Sequence, residues 1–341
     1  MQLIDTEKAV GHVLCQDITQ IIKGVTKDAV FRKGHVVTEE DIPILLSVGK
    51  EHLYVWEKQE GMLHENEAAD ILYKICKGNH MHPSEVKEGK IELVADCDGV
   101  LKIDKKKLDA VNELGEMMIA SRHGNFPVKA GDKIAGTRVI PLVIEAEKML
   151  KAQRVGGDAP IFEIMEYKHK KAGIVTTGSE VAKGLIEDTF TPVVIEKLKE
   201  YNVEIAGQTI CGDDPAGITA AIEDLLRQGA DLIICTGGMS VDPDDRTPLA
   251  IKNTGARIVA YGAPVLPGAM FLLAYYDNDI PIMGLPGCVM YAKRTIFDLV
   301  LPRIICGEML EREDLSVLGQ GGLCLSCPIC TFPACGFGKG A

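Results

Sequence analysis

The stretch "ADLIICTGG", residues 230–238, most constrains what this chain folds into. It has the length of a strand, is apolar almost throughout, and stops on two glycines. A strand apolar on both faces needs cover on both faces, as in a parallel sheet sandwiched between helices. The flanking sequence supplies them. "AGIVTTG" (172–178), "VEIAGQTI" (203–210) and "IPIMGLPG" (280–287) read as further strands. Between them, "TPVVIEKLKEY" (191–201) enters a helix on Thr-Pro and sets Val194, Ile195 and Leu198 on one face. Asp214 caps another helix, with Pro215 in its first turn and Ile218, Ile222, Leu225 and Leu226 as its apolar stripe. The chain turns helical again at Thr247, and a closing helix runs from Val289 to Ile305. This alternation predicts an α/β fold, a doubly wound and mainly parallel sheet, over residues 166–315.

Ligands of such sheets bind beyond the carboxyl ends of the strands. Gly178, Gly237, Gly238 and Gly287 all fall there, so their loops converge on one crevice. Bare backbone at such a place lets N–H groups approach an anion closely. The stretch "ICTGGMSVDPDDRTPLA" (234–250) adds the hydroxyl of Ser240 and the carboxylates of Asp242, Asp244 and Asp245. Asp242 and Asp244 read as a solvated, Asp-capped turn.

At 341 residues the chain is expected to hold two or three domains. Four segments are predicted: a small α+β module (1–60), a β-rich module with a helical connector (61–165), the sheet domain (166–315) and a cysteine-rich tail (316–341). Within the first, a strand is followed by a helix capped near Thr38 and a strand ending at Trp56. The connector is "IEAEKMLKAQRV" (144–155), before Gly156-Gly157. A formal net charge of −12 argues against a general nucleic-acid binder, which needs basic surface to neutralise phosphates. The uncharged, apolar stretch from Tyr261 to Tyr276 contains Pro264 and Pro267 and is shorter than the ~20 residues of a membrane span. A cytoplasmic location, with no membrane partner, is the expectation.

Three motifs stand in order: "TTGSEV" (176–181) with "EDT" (187–189), "TGGMSVDPDDRTP" (236–248), and "LPG" (266–268) with "GLPG" (284–287). Together they resemble the molybdopterin-binding domain shared by the molybdopterin molybdenumtransferase, molybdopterin adenylyltransferase and competence/damage-inducible families. The resemblance covers about residues 170–306. It implies a site for molybdopterin or adenylyl-molybdopterin formed by Thr177, Gly178, Ser179, Thr189, Gly237, Gly238, Ser240, Thr247, Pro267, Gly268, Pro286 and Gly287. It also implies catalytic carboxylates at Glu180, Asp188 and Asp245, the last two as ligands of Mg2+. The implied function is molybdenum insertion during cofactor biosynthesis, with molybdate as co-substrate and a molybdoenzyme or another assembly protein as partner. A homo-oligomer is left open. The chain also departs from the insertase pattern. Leu266 and Ala269 stand where lysines flank the first Pro-Gly, and Cys288-Val289 follow the second where Asn-Pro is usual. The lost lysines keep open a non-catalytic cofactor carrier or sensor, and "PDDRT" (243–247), which resembles the competence/damage-inducible relatives, keeps open a nucleotide pyrophosphate hydrolase.

Seven of the eleven cysteines are scattered and read as buried free thiols. The other four, Cys324, Cys327, Cys330 and Cys335, follow a C-x2-C-x2-C-x4-C spacing. Four thiolates so placed suit one zinc ion or an iron–sulfur cluster. The tail holds few large apolar residues, so its removal is expected to leave the sheet domain folded on its own core.

Overall fold

A computed structural model describes residues 2–22, 26–55, 60–168, 170–243, 245–277 and 279–340. The expected strand end at Trp56 and the carboxylate of Asp244 lie outside the described residues. The chain divides into two compact units. One comprises residues 1–96, 103–122 and 130–163; the other comprises 97–102, 123–129 and 164–341. No helix among the described residues is long and apolar enough to cross a membrane.

In the first unit, Gln2–Asp5 pairs antiparallel with His52–Val55. Ala9, Leu14, Ile18, Val37, Leu45 and Leu53 form a small core there. The helix expected near Thr38 begins at Asp41, because the Asp41 carboxylate accepts both the backbone N–H (2.8 Å) and the hydroxyl (2.9 Å) of Thr38. A four-stranded antiparallel sheet follows, with Lys90–Ala95 and Lys133–Val139 at its centre. The helix Ala146–Gly156, expected as a connector, packs instead on the helix Glu65–Cys76. A Cβ on Gly156 would come within 2.3 Å of the Ile75 side chain, so glycine is required for that approach.

The second unit holds the sheet. Its elements are β1 (Lys171–Thr177), α1 (Phe190–Lys199), β2 (Glu204–Cys211), α2 (Pro215–Arg227), β3 (Leu232–Thr236), α3 (Thr247–Asn253), β4 (Arg257–Tyr261), β5 (Leu272–Tyr276), β6 (Ile280–Leu285) and α4 (Ile296–Ile305). The strand order is β2-β1-β3-β6-β5-β4. The first four strands are parallel and the β5-β4 edge is antiparallel. Ile174, Ile234 and Met283 pack on one face with Val194 and Leu198 of α1 and Phe297, Val300 and Ile304 of α4. Val175, Ile233 and Cys235 pack on the other with Ile218, Ile222 and Leu225 of α2 and Ile251 of α3. Both faces are therefore covered, as the apolar run through β3 requires. The Asp214 carboxylate accepts the Gly217 N–H at 2.8 Å and caps α2 as expected.

The structure differs from the sequence reading in three places. The closing helix starts at Ile296, not at Val289, because Thr295 and Asp298 form a capping box there. A 3-10 turn, Gly287–Met290, occupies the earlier residues. The antiparallel strands β4 and β5 were not anticipated; they flank the proline-broken stretch around Pro264 and Pro267. The tail is also no separate module. Leu266 donates its N–H to the Gly322 carbonyl at 2.8 Å, and Phe337, 4% exposed, belongs to the core beneath α4. Gly338 lies so close to Leu299 and Phe126 that a Cβ would come within 2.4 Å of Leu299.

Candidate functional site

The order β2-β1-β3 means that the chain leaves β1 in one direction and returns beyond it in the other. Between β1 and β3 lies the switch point at which doubly wound sheets open a crevice. Thr176 of β1, Thr236 of β3 and Leu285 of β6 stand in register, so the loops after them leave from one end of the sheet. Thr177 and Thr247 bring two of these loops together. Their hydroxyls lie 3.2 Å apart, and that of Thr247 donates to the Gly237 carbonyl at 2.9 Å. Thr189 reaches the third loop, with its hydroxyl 3.0 Å from the Met290 sulfur.

The glycines divide by what surrounds them. Gly237 (φ +82°) and Gly238 (φ +56°) have left-handed backbone, and added Cβ atoms would meet the Thr177 carbonyl at 2.3 Å and the Thr247 hydroxyl at 2.7 Å. These two are required for the loop to pack on its own protein. Gly287 faces open space, with nothing within 4 Å of a Cβ, and at Gly178 the nearest atom is 3.8 Å away. Open space for a ligand therefore lies beside Gly178 and Gly287. The interior beneath them holds a further signal: the buried hydroxyl of Thr236 has no hydrogen-bond partner among the described residues. A buried polar group left so costs about 1–3 kcal/mol, which a ligand or solvent molecule above the strand end would offset.

The remaining predicted residues separate in the same way. Ser179 is half-buried, and its N–H donates to Asp213 at 2.9 Å. Ser240 and Glu180 are exposed on their loops. Thr177 and Thr247 are buried, their hydroxyls engaged with each other, so they shape the site rather than line it. Pro286 is buried at the end of β6. Pro267 and Gly268 sit at a different place. The Pro267 carbonyl accepts the Ile296 N–H at 3.2 Å, and a Cβ on Gly268 would meet Ile296 at 2.5 Å, so this turn seats the N-terminus of α4.

Asp188 is engaged with its own helix. Its two oxygens accept the N–H groups of Phe190 and Thr191 (3.0 Å each), the Thr191 hydroxyl (2.6 Å) and the Gln208 amide (3.3 Å). The carboxylate is the cap of α1, with little lone-pair capacity left for a cation. Asp245 is half-buried and accepts the Asp242 N–H at 3.3 Å. A Mg2+ ion takes one or two carboxylates beside a ligand's own oxygens, so Asp245 stays the candidate for that ion.

Two residues that hold the loops were missed in the sequence. The Tyr261 hydroxyl, at the end of β4, donates to the carbonyls of Met239 (2.9 Å) and Ser240 (3.3 Å). Burial and the nearby Asp245 carboxylate both push its phenol above the ordinary value. Asp213 anchors the Gly178-Ser179 turn. No local pattern marks either residue, since each acts on a loop distant in the chain.

Residues 173–305 match the family described as a probable molybdopterin binding domain. That span runs from β1 to the end of α4. Residues 3–57 match a domain of unknown function, DUF8806. A CinA-like protein of Mycobacterium tuberculosis is 46% identical over 77 residues, which is 23% of this chain and 18% of that protein. The chain thus spans less than a fifth of the length of that relative. Among solved structures, the tungsten cofactor synthesizing protein MoaB of Pyrococcus furiosus is 23% identical over 36% of this chain and 84% of its own, with a TM-score of 0.31. CinA of Thermoplasma acidophilum is 19% identical over 40% of this chain and 98% of its own, with a TM-score of 0.33.

Proposed function

We propose that the sheet unit binds molybdopterin, or its adenylylated form, across the carboxyl ends of β1, β3 and β6, and holds it during molybdenum cofactor biosynthesis. The observation that carries this reading is the open space beside Gly178 and Gly287, on loops tied into one crevice by Thr177, Thr247 and Thr189. The Gly178 N–H already donates to the Cys211 carbonyl at 3.1 Å, so the backbone of the Gly287 turn suits a terminal phosphate better, and Ser240 and Glu180 offer polar contacts to a pterin. With Asp188 committed to capping α1, holding and handing on the pterin is better supported than metal insertion. Insertion, with molybdate as co-substrate, rests on Asp245 and Glu180.

Calorimetric titration with anaerobically prepared molybdopterin tests the reading, and saturable 1:1 binding is expected. Incubation of the loaded protein with molybdate then separates holding from insertion, since only insertion yields metallated cofactor. A second reading, supported by the 77-residue similarity to a CinA-like protein, is a nucleotide pyrophosphate ligand in the same crevice. Binding of a nucleotide pyrophosphate with no binding of the pterin would decide for it.

A further inference from the structure

The sequence leaves open what the four tail cysteines hold. Cys324, Cys327, Cys330 and Cys335 all line one cavity of about 620 Å³ in the second unit. Its wall includes Pro267, Lys293, Arg294 and Phe332. Two hydrogen bonds and an aromatic cluster fasten the tail beside this cavity. The Cys324 N–H donates to the Leu266 carbonyl at 2.7 Å, and Lys293 donates to the Pro328 carbonyl at 2.8 Å. Phe332 packs on Phe126 and Phe337, with ring centroids 5.9 and 6.2 Å away, and carries the Arg294 guanidinium 5.0 Å above its face.

One feature of the cavity discriminates between ligands, and a second suits any site of four thiolates. A tetrahedral zinc with bonds of ~2.3 Å draws its sulfurs to about 3.8 Å of one another. Here no three of the four sulfurs lie within 4.8 Å of one another. They surround a space instead of a point. A cuboidal cluster, whose thiolates attach to different irons, needs such a separation. The second feature is charge. A cluster with four thiolates is anionic, as a zinc with four thiolates is, and Lys293 and Arg294 are the cations on the wall. Arg294 is held there by Asp298 at 2.8 Å.

We propose that the tail cysteines bind a [4Fe–4S] cluster in this cavity. The site is distinct from the pterin crevice and does not depend on what that crevice binds.

The test uses the full chain, purified anaerobically from iron-replete cells, and a C327S/C330S variant. Both of these thiols are exposed, so their replacement leaves no buried hole. The wild type is expected to carry about four irons and four acid-labile sulfides per chain, with broad visible absorption that bleaches on dithionite. The double variant is expected to lose most of the iron and the absorption while keeping the far-UV circular dichroism of the folded chain. One equivalent of zinc with no sulfide would overturn the proposal. So would a metal-free wild type, or iron that stays in the double variant.

Discussion

Cys324 and Leu266 are joined through their backbones: the Cys324 N–H donates to the Leu266 carbonyl at 2.7 Å. This bond makes the tail a neighbour of the Pro267 turn, and through that turn of the first residue of α4. The tail is therefore part of the sheet unit's architecture. Its aromatic residues complete a core that α4 alone leaves open.

The first prediction concerns that core. Phe337 is 4% exposed and packs with Phe126 and Leu299. Phe337→Ala should destabilise the unit by about 3–5 kcal/mol, as for other buried phenylalanines. Truncation after Gln320 should cost at least as much. Urea unfolding monitored on the second unit checks this, and a truncated chain as stable as the full one would return the tail to the status of an independent arm.

A second prediction contrasts two glycines of the crevice. Gly238→Ala places a Cβ 2.7 Å from the Thr247 hydroxyl in left-handed backbone, and should lower stability by about 1–3 kcal/mol. Gly287→Leu projects into open space and should change stability by less than about 0.5 kcal/mol. It should nonetheless weaken pterin binding at least tenfold, ~1.4 kcal/mol. Calorimetry and thermal melting on the same two proteins separate the effects, and unaltered affinity in Gly287→Leu would move the ligand elsewhere.

Tyr261→Phe removes the hydroxyl that bridges the Met239 and Ser240 carbonyls. The expected stability loss is about 0.5–1.5 kcal/mol. Amide exchange should quicken in residues 238–242 and leave the helices unchanged. Uniform exchange rates across the unit would show that the loop is held by Thr247 alone.

The fourth prediction is a pH dependence. Burial pushes the Glu308 carboxyl up, but hydrogen bonds from Arg303 (2.9 and 2.7 Å) and Lys102 (2.8 Å) outweigh it and hold the group below its ordinary value of 4.5. A carboxylate depressed in the folded state stabilises fully above its unfolded value. That contribution is lost as pH falls through the folded value. The second unit should lose stability on acidification below about pH 4.5, and Glu308→Gln should flatten that part of the profile. At neutral pH the same variant should cost about 2–3 kcal/mol, because Arg303, 5% exposed, keeps only Asp314 as a partner. Melting curves across the acid range check both parts.

The sequence by itself determined the parallel part of the sheet, the helices between its strands and the end at which the glycine loops gather. Those features are local. An apolar run covered on both faces, an Asp-Pro helix entry at Asp214 and Pro215, and glycine at a strand terminus each depend on a few adjacent residues. Only the tertiary structure decided what the residues of those loops do. Asp188 caps α1 because Phe190, Thr191 and Gln208 reach its two oxygens. Gly238 is required by the loop's own packing, because a Cβ there would meet the Thr247 hydroxyl. Val289, as apolar as any helical residue beside it, lies in a 3-10 turn because Thr295 and Asp298 start the helix later. The four tail cysteines surround one cavity because Phe332 and Phe337 dock on Phe126, some two hundred residues away in the chain. Such contacts follow from packing between distant segments, and short-range patterning of side chains carries no record of which distant segment will arrive.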